Sequence, residues 1–571
     1  MKTGTKIVIT VVALTGILFL LVFGAVILMS GPGANQGNGA NKMPYDTARA
    51  KLTDLARNVQ AANIAPVKGK IDITQQADVT QELPDISTYK PTVQGYGEID
   101  LRIISSTEKT GNGKDVPGSD WFNIAADRFN KAGITVNGRS VSVTVYSIAS
   151  GAAYDYIRSG KYVPDAYTPA NELWGTMIQA NGIQIEEREK RLVGNLPGIV
   201  MQNDKYAAFI AKYGELNMKT LVQATVDNYI AVGYTNPLAS STGLYFLLST
   251  LLEFDKSNPL SQTAVDGFNQ FQLNVPFVAY STVQMQDAVS KSQSLDTMAL
   301  EYQQYKNTPV LSNYKFIPFG MRHDSPMYAL GALSEDKSRA LDRFDEFCLN
   351  KDSQALADRD GFNGMPEYQG ADYGLPGNTI IAAQKLWKEN KDAGKPIAAV
   401  FIADISGSMD GQPLNQLKES LVNSIQYINS KNCIGLVTFN SNVYVNLPIG
   451  LFDVNQKSLF AGSVGALSAG GGTATYNAVI TAMDMLDRFK TANPDVKPMI
   501  FLLTDGEQNQ GYSLSSVSRV IGGLNIPIYT IGYNANIEVL KEISSINEAA
   551  TINASSDDVI YQLKNLFNAQ M

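Results

Sequence analysis

The chain has 571 residues, with 46 Lys and Arg against 54 Asp and Glu, and its net charge of −8 argues against a nucleic-acid binder, which usually shows a basic face. The only histidine, His323, excludes metal sites built on two or more imidazoles. The only cysteines, Cys348 and Cys433, exclude Cys-rich zinc modules, iron–sulfur clusters and a disulfide framework. Any metal must therefore be bound through oxygen ligands.

Residues 1–30 are predicted to form a membrane anchor. Residues 7–29 carry no charged side chain, and as a helix they would span roughly 35 Å, more than the bilayer core of about 30 Å. Lys2 and Lys6 precede this run, so the positive-inside rule predicts a cytoplasmic N-terminus and extracytoplasmic C-terminal domains. The alternative is a cleaved signal peptide, for which the apolar run is long and no clean cleavage site follows.

Residues 31–94 are predicted to be a linker and stalk. The segment 31–40 is rich in Gly and Asn, which is typical of a flexible linker. Residues 45–61 have apolar side chains near helical spacing, which predicts a short amphipathic helix. The remainder, 62–94, is polar and contains three prolines.

Residues 95–375 alternate strand and helix patterns. Apolar strands are predicted at 98–105 and 140–146, and helices at 121–132, from 152 onward and at 171–178. This rhythm predicts a parallel sheet with helices on its faces, in which ligands bind beyond the carboxyl ends of the strands.

Hydroxyl side chains fall at predicted strand ends and helix starts of this region. Hydroxyls and backbone N–H groups at helix N-termini can bind an anion without Lys or Arg, which makes these residues a candidate ligand site. The alternative is that they only cap helices and form turns, as Ser and Thr often do. His323 is expected to be an ordinary hydrogen-bonded residue. The candidate residues are Ser105, Ser106, Ser150, Ser240, Ser241 and Thr242.

Residues 96–370 resemble a bacterial extracellular solute-binding protein of the broad type that binds molybdate, tungstate and phosphate. The resemblance implies two lobes joined by a hinge, with a cleft between them for an anion or small solute. It rests on the segments Ile104–Glu108, Ala125–Asn130, Ser150–Ala152, Pro164–Trp174, Asn236–Leu244, Phe316–Phe319 and Ser325–Ala329.

A linker helix is predicted at 376–394, and a further α/β domain at 395–571. Continuous apolar strands are predicted at 397–403, 433–439, 498–504 and 526–531. Helices are predicted between them, with another at 557–567. Continuous apolar strands alternating with amphipathic helices predict a doubly wound, Rossmann-like domain.

Oxygen-bearing side chains lie in three loops at the predicted edge of this sheet. Asp404, Ser406 and Ser408 lie just after the first strand, and Thr473 and Asp505 lie in two other loops at the same predicted edge. Two carboxylates and three hydroxyls suit Mg²⁺, with Mn²⁺ or Ca²⁺ as alternatives. The competing interpretation is a metal-free domain in which these side chains cap helices.

This set resembles the metal-ion-dependent adhesion site of the von Willebrand factor type A (VWA) family, and all five family positions are present. The resemblance implies that Ser406, Ser408 and Thr473 bind the metal directly. It implies that Asp404 and Asp505 bind it directly or through water. One coordination position is then left open for a carboxylate of a protein partner.

A catalytic function is not expected. Phosphatases with an Asp nucleophile need a second Asp two residues later, and Ser406 stands at that position. A P-loop with Lys is absent from the sequence, and the hydroxyls lack a nearby base. We therefore predict a membrane-anchored, extracellular binding or adhesion protein. Export of a chain that does not rely on disulfides is consistent with a bacterial source. The alternatives are a substrate-binding protein associated with an ABC transporter, and a scaffold whose solute-binding fold has lost its ligand.

Overall fold

The computed structural model describes most of the two α/β regions. Among the described residues, no helix combines the length and the apolar character that crossing a membrane requires. The predicted anchor at 7–29 and nearly all of the predicted helix at 557–567 lie outside the described residues. The described residues are 43–70, 83–111, 120–275, 277–279, 285, 295, 297–370, 372–393, 395–506, 508–533, 535, 537–547, 551–553 and 566.

The first described segment contains helix α1 (Tyr45–Val59) and the short strand β1 (Ala62–Asn63). The predicted helix at 45–61 is therefore confirmed, and it ends at Gln60, whose left-handed backbone stops the helix.

Among its described residues, the middle region has two sheets. The first has the strand order β3-β4-β2-β5-β12-β6 and the second the order β11-β7-β10-β8-β9. The strands are β2 (Ile99–Ser105), β3 (Thr135–Val136), β4 (Arg139–Ser147), β5 (Ala166–Thr168), β6 (Ile185–Asn195), β7 (Pro197–Gln202), β8 (Val232–Thr235), β9 (Phe277–Ala279), β10 (Thr297–Glu301), β11 (Tyr314–Pro318) and β12 (His323–Leu330). The helices are α2 (Thr107–Thr110), α3 (Trp121–Lys131), α4 (Ser150–Ser159), α5 (Leu173–Ala180), α6 (Asn203–Tyr213), α7 (Met218–Val226), α8 (Ser241–Phe254), α9 (Gln262–Leu273), α10 (Tyr302–Asn307), α11 (Glu335–Leu349), α12 (Lys351–Arg359) and α13 (Gly377–Asn390).

Each sheet is the centre of one lobe, and the chain crosses between the lobes twice. It leaves the first lobe from β6 to β7 and returns from β11 to β12. Strands β2, β4 and β5 are parallel, as the sequence predicts, while β6 and β12 pair antiparallel at the side of the first sheet. The expected two-lobed α/β architecture is confirmed.

The two lobes contact each other directly. The Gly151 N–H donates to the Ala239 carbonyl at 3.2 Å, and Trp174 Nε1 donates to Ser241 Oγ at 2.8 Å. A Cβ atom on Gly151 would lie 2.0 Å from the Leu238 carbonyl oxygen, so a side chain at this position would push the lobes apart. The residues between the lobes are consequently enclosed.

Helix α13, predicted as a linker, packs into the middle domain. Ile380, Ala383 and Trp387 are buried in a core shared with α5 and α8. Trp387 Nε1 donates to the Tyr234 hydroxyl at 2.8 Å. The helix therefore stabilises the solute-binding fold rather than only connecting two domains.

The C-terminal region forms one sheet with helices on both faces. Its strand order, among the described residues, is β1-β15-β14-β13-β16-β17-β18, and all neighbours are parallel except β14 and β15. The strands are β13 (Ile397–Asp404), β14 (Cys433–Phe439), β15 (Val443–Leu451), β16 (Lys497–Thr504), β17 (Ile528–Gly532) and β18 (Thr551–Asn553). The helices are α14 (Gln412–Ser424), α15 (Val454–Gly465), α16 (Thr475–Ala492), α17 (Leu514–Leu524) and α18 (Ile537–Ser544).

Strands β13, β14 and β16 agree with the predicted strands to within one residue, because their continuous apolar runs are buried on both faces. Strand β15 was not predicted. It is half-exposed near the side of the sheet and pairs antiparallel with β14, so its side chains lack the continuous apolar pattern.

The segment assigned to the stalk contributes to both domains. Helix α1 buries Ala48 and Leu52 against α16 and α17, and Arg49 Nε bonds to Asp487 Oδ2 at 2.8 Å. Strand β1 pairs in parallel with β15 and extends the C-terminal sheet by one strand. Residues 83–94 instead pack on the middle domain, where Thr92 N donates to the Val145 carbonyl.

Candidate metal site and interlobe cleft

The oxygen-bearing loops of the C-terminal domain meet at the carboxyl edge of its sheet. Asp404 ends β13 and Asp505 follows β16, the parallel neighbour of β13, so both carboxylates emerge at the same edge. The loop that contains Thr473 precedes α16 and is tied to the first loop, because the Gly407 N–H donates to the Gly471 carbonyl at 2.9 Å. Gly471 has a φ of 87°, a left-handed conformation that favours glycine.

Hydrogen bonds connect four of the five predicted ligands. Asp404 Oδ1 accepts from the Ser406 N–H at 2.8 Å. The Ser406 and Ser408 hydroxyl oxygens lie 3.1 Å apart, and Ser408 Oγ donates to Asp505 Oδ1 at 3.0 Å. Asp404 is fully buried, whereas Ser408 is exposed and Asp505 half-buried. The cluster therefore has a closed inner side and a side that faces solvent.

Thr473 is buried at the side of this cluster and is oriented by Asn509. The Asn509 side chain accepts from the Thr473 N–H at 2.8 Å, and its amide nitrogen lies 3.4 Å from Thr473 Oγ1. Among the described residues, the structure records no direct hydrogen bond between Thr473 and the other four. Loop contacts link them, through Gly407 and Gly471 on one side and through Asn509, in the loop after Asp505, on the other.

The protein environment disfavours negative charge on both aspartates. Burial raises the pKa of Asp404 to about 6, the bonds from Ser406 and Thr504 oppose this increase, and the charge of Asp505 adds to it. Burial also raises the pKa of Asp505. A nearby cation would favour the charged form of both carboxylates.

The donor set fits a hard divalent cation. All candidate donors are carboxylate or hydroxyl oxygens, and no imidazole or thiolate lies among them. Within the described ranges, no group of three or more His, Cys, Asp or Glu side chains is positioned to hold a metal. A metal at this edge would therefore need the hydroxyls of Ser406, Ser408 and Thr473 in addition to the two aspartates.

Two residues that support the cluster were not predicted. Thr504 Oγ1 donates to Asp404 Oδ2 at 2.5 Å and thereby fixes the orientation of this buried carboxylate. The sequence could have identified Thr504, because it ends β16 and directly precedes Asp505. Asn509 lies in a loop after Asp505, and no sequence pattern singles it out.

The six hydroxyl residues predicted for the middle domain all lie between or beside the lobes and are buried. Ser240 is the N-cap of α8 and accepts from the Gly243 N–H, which is the capping role that the alternative interpretation describes. Ser150 Oγ accepts from the Ala170 N–H, and Ser241 Oγ accepts from Trp174.

The other three hydroxyl residues have protein contacts of differing strength. Ser105 Oγ makes only a long contact of 3.5 Å to the Ser106 carbonyl, and Ser106 precedes the short helix α2. Thr242 Oγ1 donates to Glu301 Oε1 at 2.6 Å. Most of these hydroxyls are thus engaged with protein atoms, and one of them is bonded to a carboxylate.

Acidic residues that were not predicted surround His323 in the cleft. His323 is fully buried, and its Nδ1 lies 2.6 Å from Glu301 Oε1. Burial opposes the charged form, but Glu301 and, more weakly, Glu172 and Glu108 raise the pKa of His323. Glu108 and Glu172 belong to segments on which the family resemblance rests. Nothing in the sequence pattern indicated that these two glutamates lie near the same site.

Comparison with known families agrees with this division of the chain. The model of the von Willebrand factor type A domain matches residues 399–569, and the model of the bacterial extracellular solute-binding protein family matches residues 119–363. The chain therefore contains a VWA domain and, before it, a domain of the solute-binding-protein family.

Individual relatives match the VWA region. Inter-alpha-trypsin inhibitor heavy chain H1 of Mesocricetus auratus is 28% identical over 182 residues, which cover 30% of this chain and 20% of that protein. An uncharacterised protein of Synechocystis is 26% identical over 161 residues, 28% of this chain and 37% of that protein. The chain thus spans about a fifth of the length of the heavy chain.

Solved structures are similar to each domain. A VWA protein from Catenulispora acidiphila is 20% identical with a TM-score of 0.28, covering 30% of this chain and 42% of that one. The sulfate-binding protein SubI from Mycobacterium tuberculosis is 15% identical with a TM-score of 0.33, covering 47% of this chain and 88% of that one. These scores are too low to transfer any detail of a site.

Proposed function

We propose that this protein is a membrane-anchored, extracytoplasmic binding or adhesion protein whose VWA domain binds a protein partner through a divalent metal ion. The presence of a VWA domain beside a solute-binding fold supports a binding role. The observation that carries the metal-dependent part is the hydrogen-bonded cluster of Asp404, Ser406, Ser408 and Asp505 at the carboxyl edge of the sheet.

The partner is proposed to contribute a carboxylate. Two aspartates and one divalent cation sum to about zero charge, so an incoming carboxylate is attracted to the exposed metal and not repelled by the protein. Ser408 and Asp505 lie on the solvent-facing side of the cluster, where a partner has access. Mg²⁺ is the proposed metal, with Mn²⁺ or Ca²⁺ as alternatives. We assign no catalytic role to the chain.

The proposed location of the protein rests on its sequence. The uncharged run at 7–29 with Lys2 and Lys6 before it supports a single-pass anchor with a cytoplasmic N-terminus. Protease treatment of intact cells that express the full chain tests this. The VWA domain should be cleaved from outside, and protection of the domain in intact cells would contradict the proposal.

The metal proposal is tested with Asp404→Ala. Isothermal titration calorimetry of the parent protein should give a saturable Mg²⁺ binding signal, and Asp404→Ala should remove it because it deletes the central carboxylate. The domain should remain folded by circular dichroism. Asp410→Ala is the matched control, because Asp410 is an exposed aspartate after the same loop. Equal Mg²⁺ affinity in Asp404→Ala and the parent would contradict the assigned site.

Partner binding is tested separately. A pull-down with the ectodomain should retain a protein partner in Mg²⁺ and lose it in EDTA, and Asp404→Ala should behave as the parent does in EDTA. Retention in EDTA would show that the interaction does not require the metal.

A second function, capture of a small solute by the middle domain, is supported by a separate observation. The lobes enclose buried polar atoms that have no hydrogen-bond partner in the part of the chain that the structure describes, among them Asn171 Oδ1 and Glu301 Oε2. Unpaired buried polar atoms typically cost about 1–3 kcal/mol each, so a bound solute that pairs with them would stabilise the closed lobes. This function fits an ABC-transporter-associated binding protein.

A further inference from the structure

The enclosed region between the lobes is acidic. Glu108 follows β2 and Glu172 precedes α5 in the first lobe, and Glu301 ends β10 in the second. All three act electrostatically on His323, which begins the returning strand β12. Residues distant in sequence are thus brought within electrostatic range of His323 by the contact between the lobes.

Several atoms in this region have no hydrogen-bond partner among the described residues. Thr168, Asn171 and Glu301 are at most 1% exposed, and each has an unpartnered side-chain oxygen. Asn171 lies beside the cluster, since its Nδ2 is 3.3 Å from His323 Nε2. The unpartnered atoms at this place, among the described residues, include Ser106 Oγ, Thr168 Oγ1, Asn171 Oδ1, Glu108 Oε2, Glu172 Oε1 and Glu301 Oε2.

The basic groups do not balance these acids. His323 is paired with Glu301, and the Lys109 ammonium is bound to the backbone, donating to the carbonyls of Thr168 and Pro169 at 2.9 Å each. Three carboxylates against these two basic groups leave a formal charge of −1 when all are ionised. In that fully ionised state an anion would meet net repulsion, whereas one additional positive charge would complete the balance.

We propose that the interlobe cleft binds a small organic cation carrying an ammonium or guanidinium group, with Glu172, Glu301 and Asn171 accepting its hydrogen bonds. The proposal rests on solute capture by the middle domain and names the class of solute. A multidonor cation suits carboxylate and amide oxygens, all of which accept hydrogen bonds. A metal ion fits less well, because the described residues contain no three acidic or imidazole side chains placed to hold one.

The proton balance supports this assignment. Burial raises the pKa of Glu172 to about 7, His323 opposes the increase, and Asp372 and Asp324 add to it. Burial likewise raises the pKa of Glu108. Burial lowers the pKa of the neighbouring Lys109 to about 7, and the charges of Glu108 and Glu301 oppose this decrease. A bound cation favours the ionised carboxylates, so its binding near pH 7 should release protons. Calorimetry in two buffers with different ionisation enthalpies measures this release.

The test uses the full chain and its intrinsic tryptophan fluorescence, to which the three tryptophans of the middle domain contribute. One of them, Trp174, donates to Ser241 across the lobes. Putrescine and agmatine are the cationic probes, and sulfate and molybdate are the anionic ones. At millimolar concentration at least one cation should raise the midpoint of the tryptophan-monitored thermal transition, and neither anion should. Stabilisation by sulfate or molybdate alone would overturn the proposed class while leaving solute capture intact. No shift with any probe would overturn both.

The variant Glu172→Gln tests the residue assignment. It should weaken binding of the stabilising cation by about tenfold or more, because a charged acceptor is lost. It should not lower the thermal midpoint without ligand, because one of three mutually repelling carboxylates is removed. Glu187→Gln, an exposed glutamate of the same lobe, is the matched control. Parent-like affinity in Glu172→Gln would overturn the assignment, and so would a large loss of stability with unchanged affinity.

Discussion

At the scale of single residues, position in the fold decides what an aspartate does. Asp404 is buried, but the Ser406 N–H and the Thr504 hydroxyl donate to its two oxygens. These bonds fix the carboxylate in an orientation in which it can bind a cation. Asp345 is also buried, on α11, but its Oδ1 has no partner and Glu189 and Asp342 lie near it. The first arrangement suits ligand binding, whereas the second only reduces stability when the side chain is charged.

Asp345 should make the stability of the middle domain depend on pH. Burial and, to a lesser extent, the charges of Glu189 and Asp342 raise the pKa of Asp345 from 3.8 to about 8. The folded state then keeps a proton that the unfolded state loses above pH 4, so stability falls as the pH rises between these values. Asp345→Asn should therefore raise the free energy of unfolding at pH 7.5 by about 1 kcal/mol or more, and much less at pH 4.5.

Urea denaturation followed by tryptophan fluorescence at the two pH values measures this difference. Glu346→Gln is the control, because Glu346 is the next residue on α11 and is exposed beside Arg343. A gain that is equal at both pH values would contradict the titration of Asp345 as the cause.

At the scale of elements, the segment 43–70 shows how far tertiary contacts change the meaning of a pattern. The apolar spacing of α1 correctly predicts an amphipathic helix, but it does not say which surface the helix covers. In the structure, α1 packs on α16 and α17, and β1 covers the side of the sheet at β15. An element before the middle domain in sequence thus completes the fold of the domain after it.

Leu52→Ala should destabilise the VWA domain although it lies outside the matched region. Leu52 is 1% exposed in the core between α1 and the sheet, and truncation of such a leucine typically costs about 2–4 kcal/mol. Differential scanning calorimetry should show a lower midpoint for the transition of this domain.

Leu451→Ala is the control for this substitution, since Leu451 is 55% exposed on β15. The tryptophan-monitored transition should stay unchanged in Leu52→Ala. A parent-like calorimetric midpoint would contradict the packing of α1 on this domain.

At the scale of the whole molecule, the two domains can be followed independently. All three tryptophans, Trp121, Trp174 and Trp387, are buried in the middle domain. Mg²⁺ should therefore raise the calorimetric midpoint of the VWA domain without moving the tryptophan fluorescence transition. A ligand that binds only the folded state stabilises by about 2.7 kcal/mol at a hundredfold excess over its Kd. A Mg²⁺-dependent shift of the fluorescence transition alone would place the metal in the middle domain.

The sequence by itself determined the α/β class of both domains and the meeting of Asp404 and Asp505. Buried parallel strands appear as continuous apolar runs, and their carboxyl ends meet at one edge, so the residues that follow them can be placed together without coordinates. The half-exposed strand β15 lacked such a run and escaped prediction.

Only the tertiary structure decided the acidic character of the cleft and the attachment of α1 and β1 to the VWA domain. Glu108, Glu172 and Glu301 lie on three separate elements, and the charge around His323 exists only once the two lobes close on each other. The sequence suggested an anion site because local patterns identify hydroxyls at strand ends and helix starts, where they also cap helices and form turns. They do not report long-range charge, which depends on which distant side chains burial brings together.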